Sequence, residues 1–423
     1  MKKFASKTSV AVVGLGYVGL PTALAIAEAG VKVTGIDINK KRVNQLNGGK
    51  SFIAEIPDET VKRMLKNFRA TTDWKAIKKC NVVLITVPTP LNKNKAPDTS
   101  FIENAAKKIY PHIKRGVIVV LESTTYPGTT EELLLPILER SGLKAGRDFY
   151  LAFAPERIDP GNKQFKFTDI PKVVGGINKI STDKTAAFYQ LYLKKVHPVS
   201  SARTAEMTKL LENIFRLVNI SLVNELKMLA DKMDIDFWEV IEAAKTKPYG
   251  FTPFYPGPGV GGHCIPLDPF YLSWKARELN FFTRFIDLAG EINELMPHHV
   301  ATKVIWALNN KKKAVRGAKI LALGVAYKKD IDDPRESPAV EVIKDLVKKG
   351  ANVRYNDPFI PQINVSGKTF RSVPLNKKAL KSADCVLVLT DHSIYDYKMI
   401  ARTAKLIIDT RGAIKARKPS IIT

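Results

Sequence analysis

The chain has 423 residues, 45% of them hydrophobic, with 67 lysines and arginines against 41 aspartates and glutamates, a formal net charge of +26. That length predicts two or three globular domains with ample core, and the basic residues are dispersed (Lys311-Lys312-Lys313, Lys377-Lys378) without a nucleic-acid-reading motif, which argues for a locally anionic small ligand over DNA or RNA. Three cysteines, Cys80, Cys264 and Cys385, are too few and odd in number for a disulfide framework, so a reducing, cytoplasmic setting is expected.

Met1-Lys2-Lys3 followed by Val10-Ala11-Val12-Val13 superficially resembles a signal peptide, but the apolar run is better read as a first strand entering a glycine motif. No run approaches the roughly eighteen apolar residues of a membrane span. The motif is Gly14-Leu15-Gly16-Tyr17-Val18-Gly19, followed by a helix-like segment over 21–29 and a second strand ending at Asp37. The first glycine suits the tight turn, the second admits a pyrophosphate, and the third lets helix and strand pack closely. Asp37 can bind both ribose hydroxyls and would repel a 2′-phosphate, which favours NAD, although Lys40, Lys41 and Arg42 keep NADP in view.

Runs at 10–13, 31–36, 82–87, 117–121 and 150–153 read as buried strands alternating with amphipathic segments, a pattern that implies a parallel, doubly wound sheet. Cys80 and Cys385 each precede such a run and are expected to be structural. The stretch 88–98, opening Pro88-Thr89-Pro90, reads as a long loop at a strand's carboxyl end, where ligands bind.

Residues 202–232 lack proline and glycine and predict one helix of about 45 Å. Met207, Leu210, Leu211, Ile214, Phe215, Leu217, Val218, Leu222 and Val223 cover most of its circumference, so it is expected to be largely buried. One stripe is polar: Glu206, Lys209, Asn213 and Arg216. Buried polar groups need partners, either a ligand, an opposing subunit or an internal salt-bridge stripe.

The run Tyr255-Pro256-Gly257-Pro258-Gly259-Val260-Gly261-Gly262-His263-Cys264-Ile265-Pro266-Leu267-Asp268-Pro269 carries the most chemistry. Four glycines within six residues let a ligand or another backbone approach closely, and the loop then delivers one thiol and, four residues on, one carboxylate. Pro266 and Pro269 suit a helix's first turn, where partial positive charge favours the thiolate. An ordinary cysteine titrates near ~8.5, so such help matters. The reading is covalent catalysis; its rival is a small buried hydrophobe beside a glycine turn. A second α/β pattern begins near Lys319, with a strand leading to Gly324 and another ending at Asp357, a degenerate echo of the first.

This order of motifs, over essentially the whole chain, resembles the UDP-sugar 6-dehydrogenases of the UDP-glucose/GDP-mannose dehydrogenase family. The resemblance implies two Rossmann-like doubly wound parallel-sheet domains joined by a long central helix: an NAD-binding domain at 1–201, a central helical dimerisation domain at 202–315, and a UDP-sugar-binding domain at 316–423. It implies oxidation of a C6 alcohol to a carboxylate with two NAD, one water and no metal. Cys264 matches the nucleophile, forming a thiohemiacetal and then a thioester. Lys209 and Asn213 match the pair that steadies oxyanion charge, Asp268 a carboxylate near a catalytic water, Thr124 a threonine that holds water, and Glu156 a glutamate of the hydrolytic half. For the cofactor the residues are Gly14, Gly16, Tyr17, Val18, Gly19, Asp37, Pro88, Thr89, Thr124 and Arg335. For the UDP-sugar they are Glu156, Arg157, Lys209, Asn213, Arg216, Tyr255, Gly257, Gly261 and Lys328. His263 adjoins Cys264, but neighbours in an extended loop point apart, so it is not taken as a base.

Leu267, where UDP-glucose enzymes commonly carry lysine, and Ile158-Asp159-Pro160-Gly161, where they tend to carry a second glutamate after the Pro-Glu motif, depart from that branch. Gly261-Gly262-His263-Cys264-Ile265-Pro266 followed by Asp268-Pro269-Phe270-Tyr271-Leu272 looks more like dehydrogenases of N-acetylated hexosamines. The expected substrate is UDP-N-acetylglucosamine, with UDP-N-acetylmannosamine and then UDP-glucose as alternatives. A homodimer built on the long helix is also implied, with Arg216 near its interface. Two rivals stand beside this reading. A one-step hydroxy-acid dehydrogenase has no use for Cys264, and a nucleotide or polyanion binder would tolerate its loss.

Overall fold

A computed structural model describes residues 8–53, 55–92, 96–157, 165–262, 264–416 and 418–423. They form two compact units, one of residues up to 212 with 270–281, the other of residues 213–269 with 282–423.

The first unit holds strands β1 (Ser9–Val13), β2 (Lys32–Ile36), β3 (Phe68–Thr71), β4 (Val82–Ile85), β5 (Ile118–Leu121), β6 (Tyr150–Phe153), β7 (Lys172–Gly176) and β8 (Val196–Pro198). Their sheet order is β3-β2-β1-β4-β5-β6-β7-β8. The order reverses between β1 and β4, which opens the ligand crevice at their carboxyl ends. Alternation along β1 explains the double winding. Val10 and Val12 pack on the first helix (Gly19–Glu28) through Leu20, Ala23 and Ile26, whereas Ala11 and Val13 face Ile102, Ala105 and Ile109 of the helix Ser100–Ile109.

The expected strands in this unit all form, and β3, β7 and β8 join them. One pairing departs from the parallel pattern: β6 and β7 run antiparallel, with Ala152 opposite Gly176 and Phe153 opposite Gly175.

In the second unit, β9 (Lys319–Leu323), β10 (Asn352–Asn356), β13 (Cys385–Val388), β14 (Ile407–Asp409) and β15 (Ile421–Ile422) form a parallel sheet in the order β10-β9-β13-β14-β15. A hairpin of β11 (Gln362–Val365) and β12 (Lys368–Arg371) forms a separate two-stranded sheet that packs on the same core through Ile363 and Val365. Ile320 and Ala322 face Val342, Ile343 and Leu346, while Leu321 and Leu323 face Leu380 and Ile400. The chain is thus an α/β protein with two Rossmann-like sheets.

The long helix spans Ala202–Lys232, as its composition predicts. Its burial differs from expectation. Leu210 and Leu217 are fully covered, but Met207, Leu211, Phe215, Leu222, Leu226 and Leu229 are between 40% and 58% exposed. Apolar residues on every side identify helix faces that want cover without saying which the chain itself supplies. Cys80 and Cys385 are buried, and burial pushes their thiols up to about 11 and about 12, as inert core cysteines require.

Candidate active site

The glycine motif is shaped for a dinucleotide. Gly14 adopts φ +93° directly after β1, and its N–H donates to Ile36 O at 2.8 Å. A methyl on Gly19 would stand 1.8 Å from Gly14 O, so helix and turn touch backbone to backbone, whereas nothing lies within 4 Å of a methyl on Gly16. The first helix begins at Gly19 without a side-chain cap on Val18, and Tyr17 is exposed. Open space over Gly16 beside an uncapped helix N-terminus fits a pyrophosphate. Asp37 follows β2 and is locked in place: its carboxylate accepts the Leu15 N–H at 2.9 Å, the Asn39 N–H at 2.8 Å and Arg42 Nη1 at 2.9 Å. The Arg42 guanidinium in turn lies 4.5 Å over the Phe52 ring. Pro88 and Thr89 follow β4, and Thr89 O accepts the Tyr271 hydroxyl.

Thr124 lies half-buried three residues beyond β5. Glu156, three residues beyond β6, accepts the Arg157 N–H at 2.6 Å on Oε1 and Lys172 Nζ at 3.0 Å on Oε2. Arg157 reaches Glu212 at 2.6 Å and Pro171 O at 2.7 Å. Glu206, wholly buried on the long helix, accepts the N–H groups of Gly128 and Thr130 and the Thr130 hydroxyl at 2.6 to 2.9 Å. Burial outweighs these bonds and pushes its carboxyl up to about 7. Glu206 and Glu212, which lie one turn either side of Lys209 on the helix, are both engaged by other groups. Lys209 is 8% exposed and makes no ion pair or hydrogen bond among the described residues.

In the second unit the glycine loop is pinned by two asparagines that the sequence did not single out. Gly257 N–H donates to Asn224 Oδ1 at 2.9 Å, and Asn293 holds Val260 through both its amide atoms. Gly262 has φ +85° and a methyl there would meet the Tyr327 ring at 2.8 Å; one on Gly261 would meet Glu336 O at 2.5 Å. The loop thus needs glycine to lie flat on its neighbours. Cys264 is exposed, and its carbonyl accepts the N–H groups of Leu267 and Asp268 in the turn that opens the helix Asp268–Arg277. His263 and the run 158–161 lie outside the described residues.

Asn213 and Asp268, assigned separate tasks from the sequence, are joined: Asn213 Nδ2 donates to Asp268 Oδ2 at 2.6 Å, with both side chains buried. Tyr255 stacks on Trp238 and donates to Glu242, and Gly257 lies against Arg411. Arg335 chelates Asp333 at 2.8 and 2.6 Å, Lys328 is half-buried after β9, and Arg216 is exposed on the long helix. The echo between the sheets is physical. Asp357 accepts the Val325 N–H as Asp37 accepts that of Leu15, and Thr390 bonds Ala326 O as Thr86 bonds Gly14 O.

A dinucleotide crevice in one sheet, a second sheet of the same design and an exposed thiol on a glycine loop define a nicotinamide-dependent oxidoreductase. Residues 8–194, 203–295 and 321–416 match, in turn, the NAD binding, central and UDP binding domains of the UDP-glucose/GDP-mannose dehydrogenase family. The chain belongs to that family, and its cofactor is NAD. It is 35% identical over 423 residues to a UDP-N-acetyl-D-glucosamine 6-dehydrogenase of Salmonella typhi, covering 98% of each chain. It is 37% identical over 417 residues to a UDP-N-acetyl-D-mannosamine dehydrogenase of Pyrococcus horikoshii, covering 96% of each. A solved structure of a UDP-D-ManNAc dehydrogenase from Pyrococcus horikoshii superposes with a TM-score of 0.88 at 34% identity over 98% of both chains.

Proposed function

We propose that the chain oxidises the C6 alcohol of UDP-N-acetylglucosamine to the uronate in four electrons, through a covalent adduct on Cys264. The observation that carries this reading is Lys209: a nearly buried cation without a partner among the described residues, one helical turn before Asn213. Such a cation calls for an anionic ligand. A developing alkoxide supplies that charge, and two neighbouring donors suit it.

Bound NAD supplies the hydride acceptor for each oxidation, held on Gly14, Gly16, Gly19 and Asp37, with Tyr17, Val18, Pro88, Thr89, Thr124 and Arg335 around it. Loss of a hydride from C6, with the hydroxyl proton released to solvent water, gives the aldehyde. The Cys264 thiolate adds to its carbon to form a thiohemiacetal, whose oxyanion Lys209 and Asn213 stabilise. A second loss of hydride leaves a thioester. Water then adds to the carbonyl, its proton passes to Glu156, and the C–S bond breaks to release carboxylate and thiolate. Thr124 and Asp268 hold the water; the Asn213 bond fixes the Asp268 carboxylate for that task. Arg157, Arg216, Tyr255, Gly257, Gly261 and Lys328 bind the nucleotide sugar.

Leu267 and the names of the relatives above support an N-acetylhexosamine. UDP-N-acetylmannosamine is the second reading, favoured by the Pyrococcus likeness. The half-exposed apolar stripe on the long helix supports a homodimer in which two copies cover it. No helix among the described residues is long and apolar enough to cross a membrane, and a reducing cytoplasm suits an enzyme that depends on a thiol. Initial rates with UDP-N-acetylglucosamine, UDP-N-acetylmannosamine and UDP-glucose test the assignment. The highest kcat/KM is expected for the first, and a tenfold preference for UDP-glucose would sink it.

A further inference from the structure

The first unit contains a buried charge cluster of which the scheme above uses only Glu156. Lys172, the first residue of β7, is 5% exposed, with Nζ 3.0 Å from Glu156 Oε2 and 3.4 Å from Glu122 Oε2. Glu122, just beyond β5, is 1% exposed and accepts the hydroxyl of the fully buried Tyr189, whose ring centroid lies 5.3 Å from the Lys172 ammonium. The half-buried Tyr192 ring lies tilted beside Tyr189, with centroids 5.9 Å apart, and Arg157 is engaged by Glu212.

Topology explains how the cluster forms. Because β7 runs antiparallel to β6, its first residue returns to the sheet edge where β5 and β6 end, and the register that pairs Phe153 with Gly175 sets Lys172 opposite Glu156. A parallel β7 would have begun at the opposite edge. Two carboxylates share one ammonium in an apolar wall. Burial pushes the Glu122 carboxyl up, and although burial also opposes the Lys172 charge, Glu122 and Glu156 together hold that ammonium above its usual range.

We propose that Lys172 is a positioning residue for Glu156, holding its carboxylate aimed for the hydrolytic step through the 3.0 Å contact, while Glu122 and Tyr189 fix Lys172 from behind. The proposal rests on the reading that Glu156 takes the proton of the water that cleaves the Cys264 thioester. Neutralising Lys172 alone does not require Glu156, since Glu122 already supplies one buried negative charge; the arrangement spends the same ammonium on a residue of the site.

The test is rapid mixing with NAD and UDP-N-acetylglucosamine, followed by acid quench and intact-mass measurement. In Lys172→Met/Glu122→Gln, which leaves no unpaired Glu122 charge in the wall, two NADH per active site are expected at close to the wild-type rate. Steady-state turnover then falls at least about tenfold and the Cys264 acyl-enzyme accumulates, while Lys172→Arg stays within about threefold of wild type. Wild-type turnover and no accumulation in the double variant would overturn the proposal. If that variant does not fold, Glu122→Gln decides: with Lys172 no longer fixed from behind, acyl-enzyme breakdown is expected to slow at least about threefold while both hydride transfers keep close to the wild-type rate, and unchanged breakdown overturns the proposal. Glu156→Gln separates the two levels. Failure of that variant to accumulate acyl-enzyme removes the underlying reading, whereas accumulation there but not in the double variant removes only the role of Lys172.

Discussion

Alanine at Gly19 and alanine at Gly16 have opposite consequences, and the difference follows from atoms already in place. A methyl at Gly19 would lie 1.8 Å from Gly14 O and 2.5 Å from Thr86 Oγ1. Neither atom can yield easily, because Gly14 N–H is bonded to Ile36 O and Thr86 Oγ1 to Gly14 O. Restoring an ordinary contact of about 3.4 Å requires the first helix to retreat by about 1.6 Å, which loosens Leu20, Ala23 and Ile26 from β1. Overpacking of this kind costs about 2 kcal/mol, roughly 4–8 °C in Tm for a unit of this size. The displaced helix N-terminus also weakens NAD binding by about 10–100-fold, equivalent to about 1.4–2.8 kcal/mol. A methyl at Gly16 meets nothing within 4 Å, so Tm holds within about 1–2 °C while NAD affinity falls about tenfold. Melting curves and calorimetric NAD titrations on both variants decide. A native Tm and native Kd for Gly19→Ala would refute the packing argument, and native NAD affinity for Gly16→Ala would show that the space above it is not the pyrophosphate's.

Two further predictions concern pH. Glu206 has its native value raised to about 7, so it contributes stability that is fully present below about pH 4.5 and lost as pH rises through 7, up to about 3 kcal/mol in all. Glu206→Gln removes this slope, and stability curves of wild type and variant that run parallel between about pH 5 and 8 would contradict it. Asp231 behaves in the reverse sense. Burial pushes its carboxyl up, but His299, Lys303 and Lys227 outweigh burial and hold it well below the usual carboxylate range. Its contribution is present above about pH 4 and lost as the solution is acidified through the native value. Asp231→Asn is expected to cost about 3 kcal/mol at neutral pH, with a gap from wild type that narrows below about pH 4; a gap independent of pH would argue against the ion pairs.

What the sequence made legible were features with a period or a fixed offset. The glycine spacing, Asp37 and the apolar runs of the first sheet all belong to this class, as does the helix Ala202–Lys232. Strand direction has no such signature: Lys172-Val173-Val174-Gly175-Gly176 reads the same in either sense, so the antiparallel turn that carries Lys172 to Glu156 was hidden. A buried lysine is also the least expected occupant of a strand start, and only its partners make it tolerable. Asn224 and Asn293, which pin the glycine loop, are single polar residues on helices with no pattern around them. The exposed stripe of Leu211, Phe215 and Leu222 shows the complementary limit. Composition identifies a face that wants cover, and the cover itself is not written in the helix.

The most direct test of the account is the yield of NADH per molecule of limiting UDP-N-acetylglucosamine, measured for wild type and for Cys264→Ala. Two NADH per sugar are expected from the wild type, with uronate as product. The alanine variant retains NAD binding and gives no more than one NADH per sugar. Two NADH per sugar from Cys264→Ala would show that the second oxidation does not pass through the thiol, and would contradict the central claim.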